Sequence, residues 1–347
     1  MPIKPTILVT GATGKTGRAT VTALLEKGYP VKAMAHRHDE RSESLKKQGA
    51  EVFIGNMADH AHISAAMEGV QRAYFVAPWT PDQLHIAMTF AVTAAEANIE
   101  HIVAVTQWLS DPQHPAVSTR EAYLSDQILA MLPNSSFTKI NPGWFADNYM
   151  PPALIGVISQ LGIFPFPLGT GKTAPVSNED IGRVAAEALM HPEKHAGKTY
   201  RPTGPQLLAP EDIADAFSRV TGRPVKYQDI PMKMFLKALK YMDMPAHMQS
   251  QLRHYISDYQ LGSFERDAPN DIVEAITGQP AEDFETIARR YFKAAPITEK
   301  RLSNKLRALT GFLTLAMKQP LDLQSFEKQQ NYPNVAKPRF AKAIIQA

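Results

Sequence analysis

The first third of the chain alternates between short apolar runs and longer amphipathic stretches. Residues 6–10 (Thr-Ile-Leu-Val-Thr), with an apolar Ile-Leu-Val centre, read as a strand buried on both faces of a parallel sheet. After it, residues 18–28 place Val21, Leu24 and Leu25 on one helical face and stop at Gly28. Residues 31–35 return to strand. Further strands are predicted at 51–55, 71–77, 101–106 and 136–141, with a helix over about 82–98 carrying Leu84, Met88, Ala91, Val92 and Ala95. Strands alternating with helices predict an α/β fold, a Rossmann-type doubly wound parallel sheet. Residues 1–150 form that domain, and 176–203 is expected to return to it as a helix and strand. Residues 151–175 and 204–295 are expected to build a smaller, mostly helical domain, with a clear helix at 212–222.

Later patterns leave alternatives open. Residues 150–166 are mostly apolar and read either as core or as the wall of an apolar pocket. Residues 231–254 carry Met232, Met234, Met242, Met244 and Met248, which suit a core or an adaptable apolar site. Residues 296–347 form a basic tail. Within it, 299–317 reads as an amphipathic helix with Leu302, Leu306, Leu309, Leu313 and Ala316 on one face and Lys300, Arg301, Lys305 and Arg307 near its start. Such a helix can dock on its own body, on a second subunit or on an anionic membrane surface. Residues 318–347, with Pro320, Pro333 and Pro338, read as an extended arm.

Chemistry enters with the turn after the first strand. The stretch "ILVTGATGKTG" sets Gly11, Gly14 and Gly17 between a buried strand and a helix. In a βαβ unit the first glycine permits the tight turn, the second lets backbone approach a pyrophosphate, and the third lets helix and strand pack closely. The phosphate then rests on free N–H groups at the positive end of the helix. Gly11, Thr13, Gly14, Lys15, Thr16 and Gly17 are therefore candidate dinucleotide ligands. An acidic residue at the end of the second strand would select NAD(H). This chain has His36, Arg37 and His38 there, and a guanidinium suits a 2′-phosphate. Lys15 and Arg18 add positive charge, while Asp39 and Glu40 follow. The cofactor read from this pattern is NADP(H), with NAD(H) less favoured. Strand ends further nominate Asn56, Met57, Ala77, Pro78, Thr106, Pro142 and Gly143 as cofactor lining.

Composition narrows the class. The 347 residues include no cysteine, which removes disulfides and thiolate chemistry and fits a reducing, cytoplasmic setting. No apolar run is long enough to span a membrane, and no signal peptide is read at the start. The net charge of +3 conceals an uneven spread: residues 296–347 hold 9 Lys/Arg against 3 Asp/Glu. Basic residues elsewhere do not interleave with aromatics, so no nucleic acid is expected as a partner. No His/Asp/Glu cluster has metal-ligand spacing, so no metal is expected.

Five motifs in order, "GATGKTGR" at 11–18, "GNMAD" at 55–59, "NPGWFADN" at 141–148, "VSNEDIGRVAAEAL" at 176–189 and "YRPTGPQLLAPEDIADAFSRVTGRPVKY" at 200–227, resemble the NmrA-like group of atypical short-chain dehydrogenases/reductases. The resemblance implies NADP(H) binding and a substrate cleft closed by the smaller domain. It implies either reduction of small apolar substrates such as quinones, dyes or imines, or a redox sensor acting through a protein partner. The chain departs from the wider superfamily: Tyr123 is followed at the lysine position by Gln127, and Asn56, Thr106 and Asn141 replace common aspartate, serine and arginine. A quinone or conjugated cation needs little help from an acid, which suits such a site. The candidate proton-handling residues are Tyr123, Gln107 and His114. The candidate substrate contacts are Trp79, Trp108, Trp144, Phe145 and Asn148. The expected activity is NADPH-dependent hydride transfer to a small apolar conjugated acceptor. The alternative is a catalytically weak NADP(H)-binding sensor.

Overall fold

The computed structural model describes residues 4–331 and residue 335. Its strands are β1 (Ile7–Val9), β2 (Val31–Ala35), β3 (Glu51–Ile54), β4 (Arg72–Val76), β5 (His101–Val105), β6 (Ser136–Ile140), β7 (Ile163–Phe166), β8 (Thr199–Tyr200) and β9 (Lys226–Asp229). The helices through the sheet region are α1 (Lys15–Glu26), α2 (Glu40–Lys47), α3 (His60–Met67), α4 (Gln83–Glu96), α5 (Val117–Ala130), α6 (Pro152–Leu161), α7 (Asn178–Met190) and α8 (Pro192–His195). They continue as α9 (Pro210–Thr221), α10 (Met232–Tyr241), α11 (Ala246–Gln260), α12 (Ile272–Thr277), α13 (Phe284–Lys293), α14 (Leu302–Met317) and α15 (Leu323–Gln329).

Seven strands form one parallel sheet in the order β3-β2-β1-β4-β5-β6-β8. A parallel neighbour requires a crossover, and helices supply it here. β1 lies inside the sheet, between β2 and β4, and its three residues are fully buried. The order reverses between β1 and β4, which opens a crevice at the carboxyl ends of those strands. One sheet face packs Val9, Val21 and Leu24 against Ile181, Val184 and Leu189 of α7. The other packs Leu8 and Phe75 against Ile63, Ile86 and Phe90. Residues 176–203 thus set α7 against α1 and β8 beside β6. The close approach of α7 needs Gly182, where a Cβ would lie 2.5 Å from the Ala19 Cβ.

A second core gathers Tyr149, Phe164, Phe166, Phe217 and Phe284. It draws Ala146 and Tyr149 from just after β6, so its packing starts before residue 151. Ile155, Ile158, Phe164 and Phe166 are buried in it, so the apolar 150–166 segment serves as core rather than as an open pocket wall. The methionine-rich segment packs Met232, Met242 and Met244 against the same core. Two features depart from the sequence reading. β7 pairs in parallel with β9, Ile163 opposite Lys226, which gives the mostly helical unit a small sheet. α12 instead packs Val273 into the sheet-side core.

The tail helix forms where the sequence places it, as α14, and docks on its own body. α14 lies on α6 and α10, but through Ala308 and Gly311, leaving Leu302, Leu306, Leu309 and Leu313 exposed. Part of the expected extended arm is α15, begun by Asp322 accepting from the Ser325 N–H. Pro333 and Pro338 lie outside the described residues.

Candidate dinucleotide and acceptor site

The glycine turn is built at the crevice. Gly11 has φ +57°, a conformation that favours glycine, and a Cβ there would lie 2.9 Å from Val76 Cγ1 on β4. A Cβ at Gly17 would lie 2.3 Å from the Gly11 carbonyl oxygen, and one at Gly14 would lie 3.0 Å from it. Gly14 caps α1 with no side-chain bond, and the first helical turn carries no acid. The first N–H groups of α1 therefore lack a side-chain cap, as an anion site requires. Tyr74 donates to Thr16 Oγ1 at 2.9 Å and fixes that hydroxyl beside β4. Lys15 pairs with Asp147, which also accepts from Asn178 at 3.0 Å. That link ties the turn to the segment after β6. These residues fit a dinucleotide phosphate.

Arg37 follows β2 with its side chain largely exposed, 3.4 Å from Asp39. Sequence reasoning missed Arg41, which binds the same carboxylate at 2.7 Å. The Arg41 guanidinium holds the Asp39 carboxyl well below the usual carboxylate range. Asp39 also caps α2 through the Arg41 and Ser42 N–H groups. The acid that could have argued for NAD(H) is thus committed to a helix cap, between two guanidinium groups. Asn56 is exposed after β3, its Oδ1 accepting from the Ala58 N–H at 3.0 Å, and Met57 is half-buried. Ala77 and Pro78 are half-buried after β4, whereas Pro142 and Gly143 are buried. The Gly143 N–H donates to Pro202 at 3.0 Å, which makes that turn a floor rather than a contact surface.

The candidate proton-handling residues divide. Tyr123 stands half-buried on α5, as the sequence places it. Gln107 is buried, and its amide oxygen accepts from Thr119 at 2.8 Å and Tyr255 at 2.7 Å. Those bonds make it a strut between α5 and α11 and leave only its NH₂ for a ligand. His114 is fully buried, not facing the cleft. Its Nδ1 accepts from the Ala116 N–H at 3.1 Å, which directs the Nε2 proton to Asp258 at 2.9 Å. Thr106 is half-exposed and donates to Asp126 at 3.3 Å, while Asn141 donates to Thr106 at 2.8 Å. Burial pushes the Asp126 carboxyl up, against the pull of Lys139 at 3.4 Å.

Two tryptophans expected at the substrate are core residues instead. Trp108 donates to the Ser263 carbonyl at 2.9 Å, and the Arg201 guanidinium sits 3.8 Å from its ring centroid. Trp144 is enclosed by Tyr259 at 5.1 Å and Phe264 at 5.2 Å. Segments distant in sequence cover both rings. Phe145 is half-buried against the sheet-side core and Asn148 is exposed. Trp79 does meet a cavity, of about 170 Å³, shared with Thr80, Gln83, Glu121, His247 and Phe326. Thr80 Oγ1 is buried there with no hydrogen-bond partner. Gln83 donates to Glu121 at 2.6 Å, and burial pushes the Glu121 carboxyl up. Neither residue carries a periodicity or motif that would have marked it.

The NmrA-like family model matches residues 3–286. The chain belongs to the NmrA-like family. It is 30% identical over 293 residues to the NAD(P)H azoreductase of Xenophilus azovorans, covering 83% of this chain and 98% of that one. The NADPH-dependent quinone oxidoreductase of Escherichia coli, solved with NADPH, superposes with a TM-score of 0.72 at 22% identity, covering 82% of this chain and 99% of that one. The negative transcriptional regulator NmrA in complex with NADP superposes with a TM-score of 0.69 at 19% identity, covering 89% and 100%. At those identities the two structures establish the shared fold. The family match ends at residue 286, before α14 and α15.

Proposed function

We propose that this member of the NmrA-like family is an NADPH-dependent reductase of a small, apolar, conjugated acceptor carrying a carbonyl or comparable polar atom, a single-ring quinone being the best fit. The observation that carries this reading is the cavity beside Trp79, in the loop that follows β4, the strand whose Val76 backs the glycine turn. Its volume of about 170 Å³ is close to that of cavities known to hold one aromatic ring. The orphaned Thr80 hydroxyl gives it a polar anchor, and Glu121 gives it a carboxyl held towards its protonated form.

The N-terminus of α1 would hold the pyrophosphate of NADPH, and Arg37 with Arg41 would hold its 2′-phosphate. Bound NADPH would supply the hydride. The residues of the chain do the rest. Thr80 donates a hydrogen bond to the acceptor oxygen. Glu121 delivers the proton that balances the hydride and is reprotonated from solvent. The ring of Trp79 offers a face for the acceptor. With Gln107 and His114 bound elsewhere, an acceptor that is itself electrophilic suits the site best.

The experiment is NADPH oxidation by the full chain with benzoquinone, larger quinones and azo dyes. Turnover is expected to be fastest with a single-ring quinone. Glu121→Gln should lower kcat by about 10²-fold without changing NADPH affinity. NADPH binding with no oxidation by any acceptor would overturn the reductase and favour a dinucleotide sensor.

A further inference from the structure

We propose that the exposed face of α14 is an interfacial anchor that lays this protein on an anionic lipid surface. Leu302, Leu306, Leu309, Leu313 and Met317 are all exposed, and their spacing puts them on one stripe of a 16-residue helix. Such a helix is about 24 Å long. The opposite side already meets the body: Ala308 is buried, and a Cβ at Gly311 would lie 3.1 Å from the Tyr241 hydroxyl. The described body therefore holds the helix from behind and leaves the leucines exposed.

Charge selects the occupant. Lys305 and Arg307 flank the apolar stripe on its two sides at 100° per residue, so their stems can lie along an apolar surface while their heads reach phosphates. Lys300, Arg301 and Lys318 stand at the helix ends, and residues 300–321 contain no acid. Arg301 is met at 2.6 Å by Glu299, just outside that stretch. Pairing two such stripes would bring two basic rims together, at a cost that an anionic headgroup layer turns into attraction. Residues 336–347 add Lys337, Arg339 and Lys342 with no acid. Among the described residues no helix is long and apolar enough to cross a membrane, so the mode is contact in the interface plane.

The test is co-sedimentation of the full chain with phosphatidylcholine vesicles, with and without a third of phosphatidylserine. Binding is expected only with phosphatidylserine, and it should weaken at high salt. Leu306→Asn with Leu313→Asn should weaken it at least tenfold, a lower bound for two leucines that are only partly sunk in an interface. Lys305→Ser with Arg307→Ser should weaken it severalfold. Both double variants should keep the wild-type melting temperature and NADPH titration, because the stripe touches neither core nor glycine turn. Binding to neither vesicle, equal binding to both, or unchanged binding by the leucine variant would overturn the proposal. So would a wild-type dimer in solution that the leucine variant dissolves. The readout needs no turnover, so it stands apart from the reductase test.

Discussion

Gly17 shows how little room one residue has. Its missing Cβ would lie 2.3 Å from a backbone oxygen, which no rotamer change can relieve. Gly17→Ala must therefore shift the turn or the start of α1. It is expected to cost about 1–3 kcal/mol of stability and at least tenfold in NADPH affinity. Thermal melting and a nicotinamide fluorescence titration check the two effects. Unchanged affinity would remove the α1 N-terminus as the phosphate site. The second residue-scale prediction concerns cofactor choice. Arg37 and Arg41 both bind Asp39, so either alone can keep part of a phosphate contact. Arg37→Ala with Arg41→Ala should weaken NADPH about tenfold or more and leave NADH unchanged, as parallel titrations would show. Equal loss of both nucleotides would mean that the pair reads adenosine rather than its phosphate.

At the scale of elements, His114 clamps the loop before α5 to α11 through Asp258. Both groups are fully buried, so removing one takes a close hydrogen-bond partner from the other inside the core. His114→Ala is expected to cost about 3 kcal/mol by denaturant unfolding, while activity per folded molecule persists. Lost activity at full stability would restore the proton-donor reading. The same contact shows where sequence patterns stop. The parallel strands were legible because double-sided burial writes continuous apolar runs, and the glycine turn because its spacing has a mechanism. β7 was hidden inside a longer apolar run with Pro165 in it, and its partner β9 lies in another segment. Trp108 and Trp144 stand where the strand ends place them, but Ser263, Phe264 and Arg201 cover them from afar. Glu121 and Thr80 became site candidates only when folding gave them a shared cavity and buried one hydroxyl without a partner.

For the whole molecule, the buried histidine of the central sheet sets a response to acid. His101 opens β5 with no exposed surface, its Nδ1 2.7 Å from the Ser136 hydroxyl. Burial, reinforced by nearby Arg72, lowers its pKa from 6.5 to about 4. Burial also lowers His195, close enough to act on the same ring. Between pH 6.5 and 4 the unfolded chain takes up a proton at this position that the folded chain refuses. Stability must then fall as pH falls through that window, by about 3 kcal/mol across it and about 2 kcal/mol of that by pH 5. Asp126 and Glu121 act in the opposite sense, since their raised pKa values make the folded state bind protons more readily than the unfolded chain. The net slope therefore mixes several groups, and the difference between wild type and His101→Gln isolates one. Urea unfolding at pH 7, 6 and 5 is expected to show the variant losing about 2 kcal/mol less than wild type over that range, whatever its stability at pH 7. Parallel curves would mean that His101 takes its proton inside the folded sheet, which would require water or a counter-charge to reach β5.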